Sequence, residues 1–291
     1  MSPIQQLIFA LVATNAGGEG KTMIAQLLHA LWIIADQPVE VLDGDPGNYA
    51  ARSTVKNARS VGWGVGAAAA PEILAAVEGS HSILDLGPNT YASMREIVEL
   101  LPALRDGFVD IGYRPVAFLP LSTNKIAAGG ALLALGAKIQ GFDQIYVRVD
   151  RDQSGNFDPT FNAPVVVDLA HLAPGLQQYI RGPGRSMAEA VMNPPPGYHI
   201  AATHVAYWML NFLQQPPIAA MFGTRPAEVL LAAYPDEPPY IGYQILQLED
   251  TTDKALTEKA RRTTILSAIE RHGWTAEGLR VVATLMDAGA I

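Results

Sequence analysis

The apolar run Leu7–Ala13 (LIFALVA) is followed almost at once by Asn15-Ala16-Gly17-Gly18-Glu19-Gly20-Lys21-Thr22, and that segment opens a stretch with helical spacing. An uninterrupted apolar run suits a strand buried on both faces of a parallel sheet. Between Thr22 and Ala35, apolar side chains recur at Ile24, Leu27, Leu28, Leu31 and Ile34, and the pattern stops short of Pro38. A glycine-rich loop between a buried strand and a helix start lets successive backbone N–H groups converge on phosphate oxygens at the positive end of the helix. On this reading Gly17, Gly18, Glu19, Gly20, Lys21 and Thr22 form a phosphate-binding loop. Lys21 is expected to bridge the terminal phosphates, and the Thr22 hydroxyl to bind Mg²⁺. The bland alternative is a glycine-rich turn with a surface lysine; the strand before and the helix after favour the phosphate loop. The strict pattern has glycine at position 15, where this chain has Asn.

Strand-like and helical stretches then alternate over about 150 residues. Strands are expected at Val39–Leu42, Ser82–Leu86, Val116–Leu121 and Gln144–Asp150, with helices at Met94–Leu104 and Ala127–Lys138. Such alternation implies right-handed crossovers and an α/β fold, a doubly wound and mostly parallel sheet flanked by helices. Arg151–Pro164 reads as a loop. Val165–Asp168 is a further strand candidate, and Gly175–Arg181, Met187–Val191 and Thr203–Gln214 are helix candidates. A proline-rich segment, Tyr234–Tyr240, precedes a helix over Thr252–His272, stopped by Gly273, and a last helix capped by Thr275. The expected division is a nucleotide-binding domain over 1–222 and a small C-terminal helical appendage over 223–291.

Composition narrows the chemistry. The 291 residues are 49% hydrophobic and 16% charged, so a sizeable core is expected. With no cysteine, disulfides, thiolate metal sites and cysteine nucleophiles are excluded. A net charge of −8 argues against DNA binding through charge alone. No basic residue precedes the run at 7–13, which therefore reads as a strand rather than a secretion signal, and no stretch reaches the roughly 18 apolar residues of a membrane span. A cytoplasmic chain is expected.

Three carboxylates stand where the phosphate loop needs them. Asp43 and Asp45 follow the second strand in Asp43-Gly44-Asp45-Pro46-Gly47-Asn48, and Asp85 ends the third. In a parallel sheet all gather at the carboxyl edge beside the loop. Two roles are open there, holding hydrated Mg²⁺ and orienting the attacking water. Taken alone, the Asp43–Gly47 stretch also reads as an ordinary turn.

Together these motifs resemble the ParA/MinD-type ATPases, a deviant phosphate-loop family that includes plasmid and chromosome partition ATPases and related conjugation proteins. The matching segments are Ala16–Thr22, Asp43–Asn48 (one residue shorter before the Asn) and Asp85-Leu86-Gly87-Pro88. The resemblance runs to about residue 215. It implies ATP (or ADP) and Mg²⁺ as ligands, Asp45 as the water-positioning switch residue, and Thr22, Asp43 and Asp85 near the metal. It also implies slow hydrolysis, a nucleotide-dependent homodimer and a protein partner in DNA partition or conjugative transfer. Two departures stand out. The family's signature lysine, which reaches the partner's phosphates, falls on Ala16; Arg52, Arg95 and Lys125 are candidate replacements. Where the family often reads adenine with an Asn after a later strand, this chain has Arg148-Val149-Asp150-Arg151, which places Asp150 at the base and leaves ATP against GTP open.

Other features read as structure. His29 lies on the apolar first helix, and His171, His199 and His204 lack metal-ligand spacing. Ser80, Ser82 and Ser93 have no nucleophile-elbow context. Trp63, between two glycines, reads as core or as a partner contact. The tail mixes Lys259, Arg261 and Arg262 with acidic residues, a pattern of solvated helices in which DNA contact is a secondary reading. Two other functions fit the same fold: a nucleotide-binding assembly protein without turnover, motivated by Ala16, and a metabolic ATP-dependent ligase, for which residues 86–215 supply no recognisable pocket.

Overall fold

The computed structural model describes residues 6–44, 51, 55, 57–61, 66–77, 79–87, 95–125, 128–181 and 185–236. The central strand is β1, Ile8–Val12, fully buried along its length as its unbroken apolar sequence requires. Helix α1, Lys21–Ile34, follows, then β2, Val39–Gly44, and a two-residue strand β3, Arg59–Ser60. A 3₁₀ turn over Gly66–Ala69 leads into α2, Ala70–Val77, and then β4, His81–Leu86. Next come α3 (Arg95–Asp110), β5 (Arg114–Ser122), α4 (Ala128–Lys138), β6 (Asp143–Val149) and β7 (Val166–Leu169). Beyond the sheet lie α5 (Pro174–Ile180), α6 (Met187–Met192), α7 (His199–Leu213), α8 (Pro216–Phe222) and α9 (Arg225–Ala233).

The seven strands form one sheet in the order β3-β2-β4-β1-β5-β6-β7, and every pairing is parallel. The expected α/β, doubly wound, parallel sheet is therefore what the chain forms. Alternation of side chains sorts the core onto two faces. Phe9 and Leu11 of β1, Ala13 just after it, and Leu84 and Leu86 of β4 pack with Ile97, Leu100, Leu104 and Phe108 of α3 and Leu132 and Leu135 of α4. Phe9 stacks on Phe108 with ring centroids 4.1 Å apart. The opposite face is covered by α1, whose Trp32 is fully buried, stacks on His81 at 4.7 Å and tilts against Phe222 of α8 at 4.9 Å. The connections leaving β1 and β5 run in opposite directions along the sheet, which opens a crevice at their carboxyl ends.

The described residues divide into two compact units, one of residues up to 171 with 211–226, the other of 172–210 with 227–236. The first holds the whole sheet. The second contains α5 and α6, where Tyr179 stacks on Tyr198 and a capping box joins Ser186 and Glu189. The helices expected over Thr252–His272 and after Thr275, and with them Lys259, Arg261 and Arg262, lie outside the described residues, as does Trp63. Among the described residues no helix is long and apolar enough to cross a membrane.

Candidate functional site

Residues 13–20 continue β1 into the crevice. The Ala13 N–H still donates to the Phe118 carbonyl of β5 at 3.1 Å, and then the chain turns into the loop. Gly18 and Gly20 take left-handed backbone, with φ of +73° and +91°, which L side chains rarely adopt. A Cβ at Gly20 would also lie 3.1 Å from Val149 at the end of β6, so that strand abuts the loop. Gly20 is the N-cap of α1; no side chain caps this helix end, and its first turn carries no acidic residue. These first-turn N–H groups are the ones a helix presents to an anion.

Asn15 needs no glycine in this loop. The non-glycine residues with left-handed backbone among those described are Asp36, Asn124 and Gln153, so position 15 is not one of them. Its Nδ2 instead donates to the Ala131 carbonyl on α4 at 2.5 Å, which ties the start of the loop to a neighbouring helix.

Toward β4 and β2 the site is acidic. The Thr22 hydroxyl donates to Asp85 Oδ2 at 3.0 Å. Asp85 stands in register with Val12 on one side and Asp43 on the other, and both carboxylates are 2% exposed. A hydroxyl and two adjacent carboxylates at the phosphate end of a loop make a donor set for Mg²⁺, which takes few protein ligands and keeps phosphate oxygens and waters. Among the described residues no group of three or more His or carboxylate side chains could hold a metal without that help. Asp45 and the turn through Asn48 lie outside the described residues.

Toward β5 and β6 the site is basic. Lys125 Nζ donates to the Gly17 carbonyl at 2.7 Å and to Glu19 Oε1 at 2.6 Å. Arg151 donates through Nη1 to the Gly18 carbonyl at 2.7 Å. Glu19 is buried, and its other oxygen accepts the Ser122 N–H at 2.7 Å. Its side chain thus fastens the loop to β5 rather than facing a ligand. Because a trans peptide directs its C=O and N–H to opposite sides, holding the carbonyls of Gly17 and Gly18 toward these cations turns the N–H groups of Gly18 and Glu19 away from them. Successive N–H groups fixed in this way form the anion-binding concavity. Lys21, 8% exposed, donates to the Ala16 carbonyl at 3.4 Å across the loop.

Of the three candidate replacements for the missing lysine, Lys125 is brought to the loop; Arg52 and the side chain of Arg95 lie outside the described residues. Arg151 was not anticipated. Its partner is 133 positions away in sequence, and no local pattern announces such a contact. Asp150 follows β6 directly, between Val149, which touches Gly20, and Arg151, which touches Gly18. The histidines stand apart from the site. His81 accepts the Ile8 N–H at Nδ1 (3.0 Å), and burial pushes its pKa down to about 4; burial does the same to His204.

Compared with known proteins, the chain matches no family model and no curated protein.

Proposed function

We propose that the chain is a Mg²⁺-nucleotide-dependent molecular switch of the ParA/MinD type, binding a purine nucleoside triphosphate at the glycine loop. It hydrolyses the nucleotide slowly, forms a homodimer around it, and acts with a protein partner in plasmid DNA partition or conjugative transfer. The observation that supports this reading most is the Thr22–Asp85 hydrogen bond at the start of α1, beside Asp43. A hydroxyl at the first turn of the helix beside two buried carboxylates is the donor set that a strand–glycine loop–helix unit offers a hydrated Mg²⁺.

When bound, Mg²⁺ neutralises charge between the terminal phosphates. The protein's own groups do the rest. The uncapped first turn of α1 and the N–H groups of Gly18 and Glu19 hold phosphate oxygens, and Lys21 leaves its loop carbonyl to bridge the terminal groups. Thr22, Asp43 and Asp85 would hold Mg²⁺ and its waters, and by the pattern of the family Asp45 would orient the attacking water. Lys125 and Arg151 keep the loop in shape from within the same chain.

The test is phosphate release and nucleotide-linked dimerisation, compared between wild type and Lys21→Ala. The variant is expected to lose both; absence of nucleotide binding in the wild type ends the proposal. Ala16 favours a second reading, a nucleotide-binding assembly protein without turnover. Loss of a transition-state cation costs on the order of 10³-fold in rate, and this reading predicts tight nucleotide binding with no phosphate release.

A further inference from the structure

Next to the phosphate loop, within the first unit, a cavity of about 540 Å³ opens at the carboxyl ends of β6 and β7. Its size falls in the range of small-molecule sites. Its walls include Arg148, Asp150, Phe157, Asp168, Phe212 and Gln215. Most of its polar groups are already engaged. Arg148 donates to both oxygens of Asp168, at 2.6 and 2.8 Å, and lies over the Phe157 ring at 5.4 Å. Gln215 uses its amide oxygen on the Asp168 N–H and its amide nitrogen on the Asp168 carbonyl, at 2.6 and 2.7 Å. Asp150 differs: its Oδ1 is shielded from solvent and meets no donor among the described residues. The nearby guanidinium cannot serve it, because that group is paired with Asp168.

A shielded carboxylate oxygen without a donor is costly, a cost that a ligand offering N–H groups removes. A carboxylate only accepts. Guanine offers two adjacent donors, N1–H and N2–H, which one carboxylate can accept together after rotation about its broad terminal torsion. Adenine offers N6–H beside the lone pair of N1, which a carboxylate repels. The phosphates fix where a base must lie. Val149 fills the space where a Cβ at Gly20 would lie, and Arg151 donates to the Gly18 carbonyl, so the residue between them stands beside the loop proposed to hold the phosphates.

We infer that Asp150 selects guanine, so that the nucleotide of this switch is GTP rather than the ATP of the family it resembles. The inference rests on the phosphate-loop reading above and sharpens its substrate. A site built around a hydrogen-bonded polar group rejects an analogue lacking the partner by a large factor, and the expected preference for GTP over ATP is at least about 100-fold.

The experiment measures binding of GTP, ATP and xanthosine triphosphate with Mg²⁺ to the full chain, to Asp150→Asn and to Lys21→Ala. Wild type should bind GTP at least about 100-fold more tightly than ATP. Asp150→Asn should lose that preference and gain xanthosine triphosphate, whose C2 carbonyl accepts from the new amide while N1–H donates to its oxygen. That gain cannot come from misfolding. If wild type binds ATP as well as GTP, or Asp150→Asn keeps the guanine preference, the inference on the base is overturned and the phosphate-loop reading stands. If wild type binds no nucleotide, both fall.

Discussion

On the side of the glycine loop at 15–22 that faces β4 and β2, the polar groups are carboxylates buried at strand ends. On the side that faces β5 and β6, they are cations carried by the loops that follow the strands. The strands themselves are alike, parallel, apolar and buried, so the difference comes from what each places at its carboxyl end. Asp43 and Asp85 are 2% exposed and stand side by side in register, with the Thr22 hydroxyl on one of them. Lys125 and Arg151 bind backbone carbonyls of the loop instead, so their work is done before any ligand arrives. One flank gathers buried carboxylates, and the other holds the loop in shape.

The largest effect should come from the acidic flank. Asp85→Asn removes a charge from the donor set and is expected to lower the Mg²⁺-dependent part of nucleotide affinity by about 10–100-fold. Titrations with and without Mg²⁺ read it directly. Arg151→Ala should weaken nucleotide binding by a similar factor in both conditions and leave the Mg²⁺ dependence intact. If the two variants behave alike, the flanks are not distinct.

Acid should unsettle the sheet next, at the amino ends of its central strands. His81 begins β4, accepts the Ile8 N–H of β1, and is stacked beneath Trp32 with no exposed surface. Burial lowers its pKa from 6.5 to about 4. Its folded pKa is depressed, so the neutral ring contributes stability that is whole above pH 6.5 and is lost as pH falls toward 4. At 1.36 kcal/mol per pH unit this amounts to on the order of 3 kcal/mol. His204 in the second unit is shifted in the same way and adds its own loss. Urea unfolding between pH 7 and 4.5 should show the decline, and His81→Gln should flatten it by about half. An unchanged slope would remove His81 as the cause.

On the basic flank, Lys125→Met leaves the Glu19 carboxylate, 2% exposed, with only the Ser122 N–H. Breaking a fully buried pair costs about 3–5 kcal/mol. Lys125 is one-third exposed, so water offsets part of this and about 2 kcal/mol is expected. Glu19→Gln in the same background should recover part of the loss, because no buried charge remains; a double-mutant cycle in urea tests the coupling.

Much of this arrangement is legible in the residues, and the rest is not for identifiable reasons. The strands could be read because parallel strands buried on both faces are apolar without interruption, as IFALV in β1 is. β3 could not, since Arg59 and Ser60 are exposed and form no pattern. α8 and α9 are short and carry no long apolar period, and their sequence signal is the proline near each start, Pro216 and Pro226. α3 runs to Asp110, past the expected end at Leu104, with Pro102 inside it. At the site, the acidic flank follows from strand order and residue type, because Asp43 and Asp85 sit on neighbouring strand ends. The basic flank depends on long side chains reaching across the crevice. Lys125 could be proposed only as one of three cations, and Arg151 was missed. Glu19 was expected among the ligand-binding residues by its place in the loop, and its side chain proves to be an anchor.

The smallest expected effect concerns the residue at which the loop departs from the strict pattern. Glycine at a position is required where backbone must be left-handed or approach something closely. Asn15 is not left-handed, and its side chain holds the Ala131 carbonyl of α4. Asn15→Ala should therefore cost about 1 kcal/mol of stability, the worth of one hydrogen bond. Asn15→Gly, which restores the strict pattern, should cost more, by about 0.5–1 kcal/mol, because it adds chain entropy to the lost contact. The ordering wild type, Ala, Gly in thermal or urea unfolding carries the argument. A glycine variant as stable as wild type would mean that the α4 anchor does not hold this loop, and that Asn15 is tolerated there rather than used.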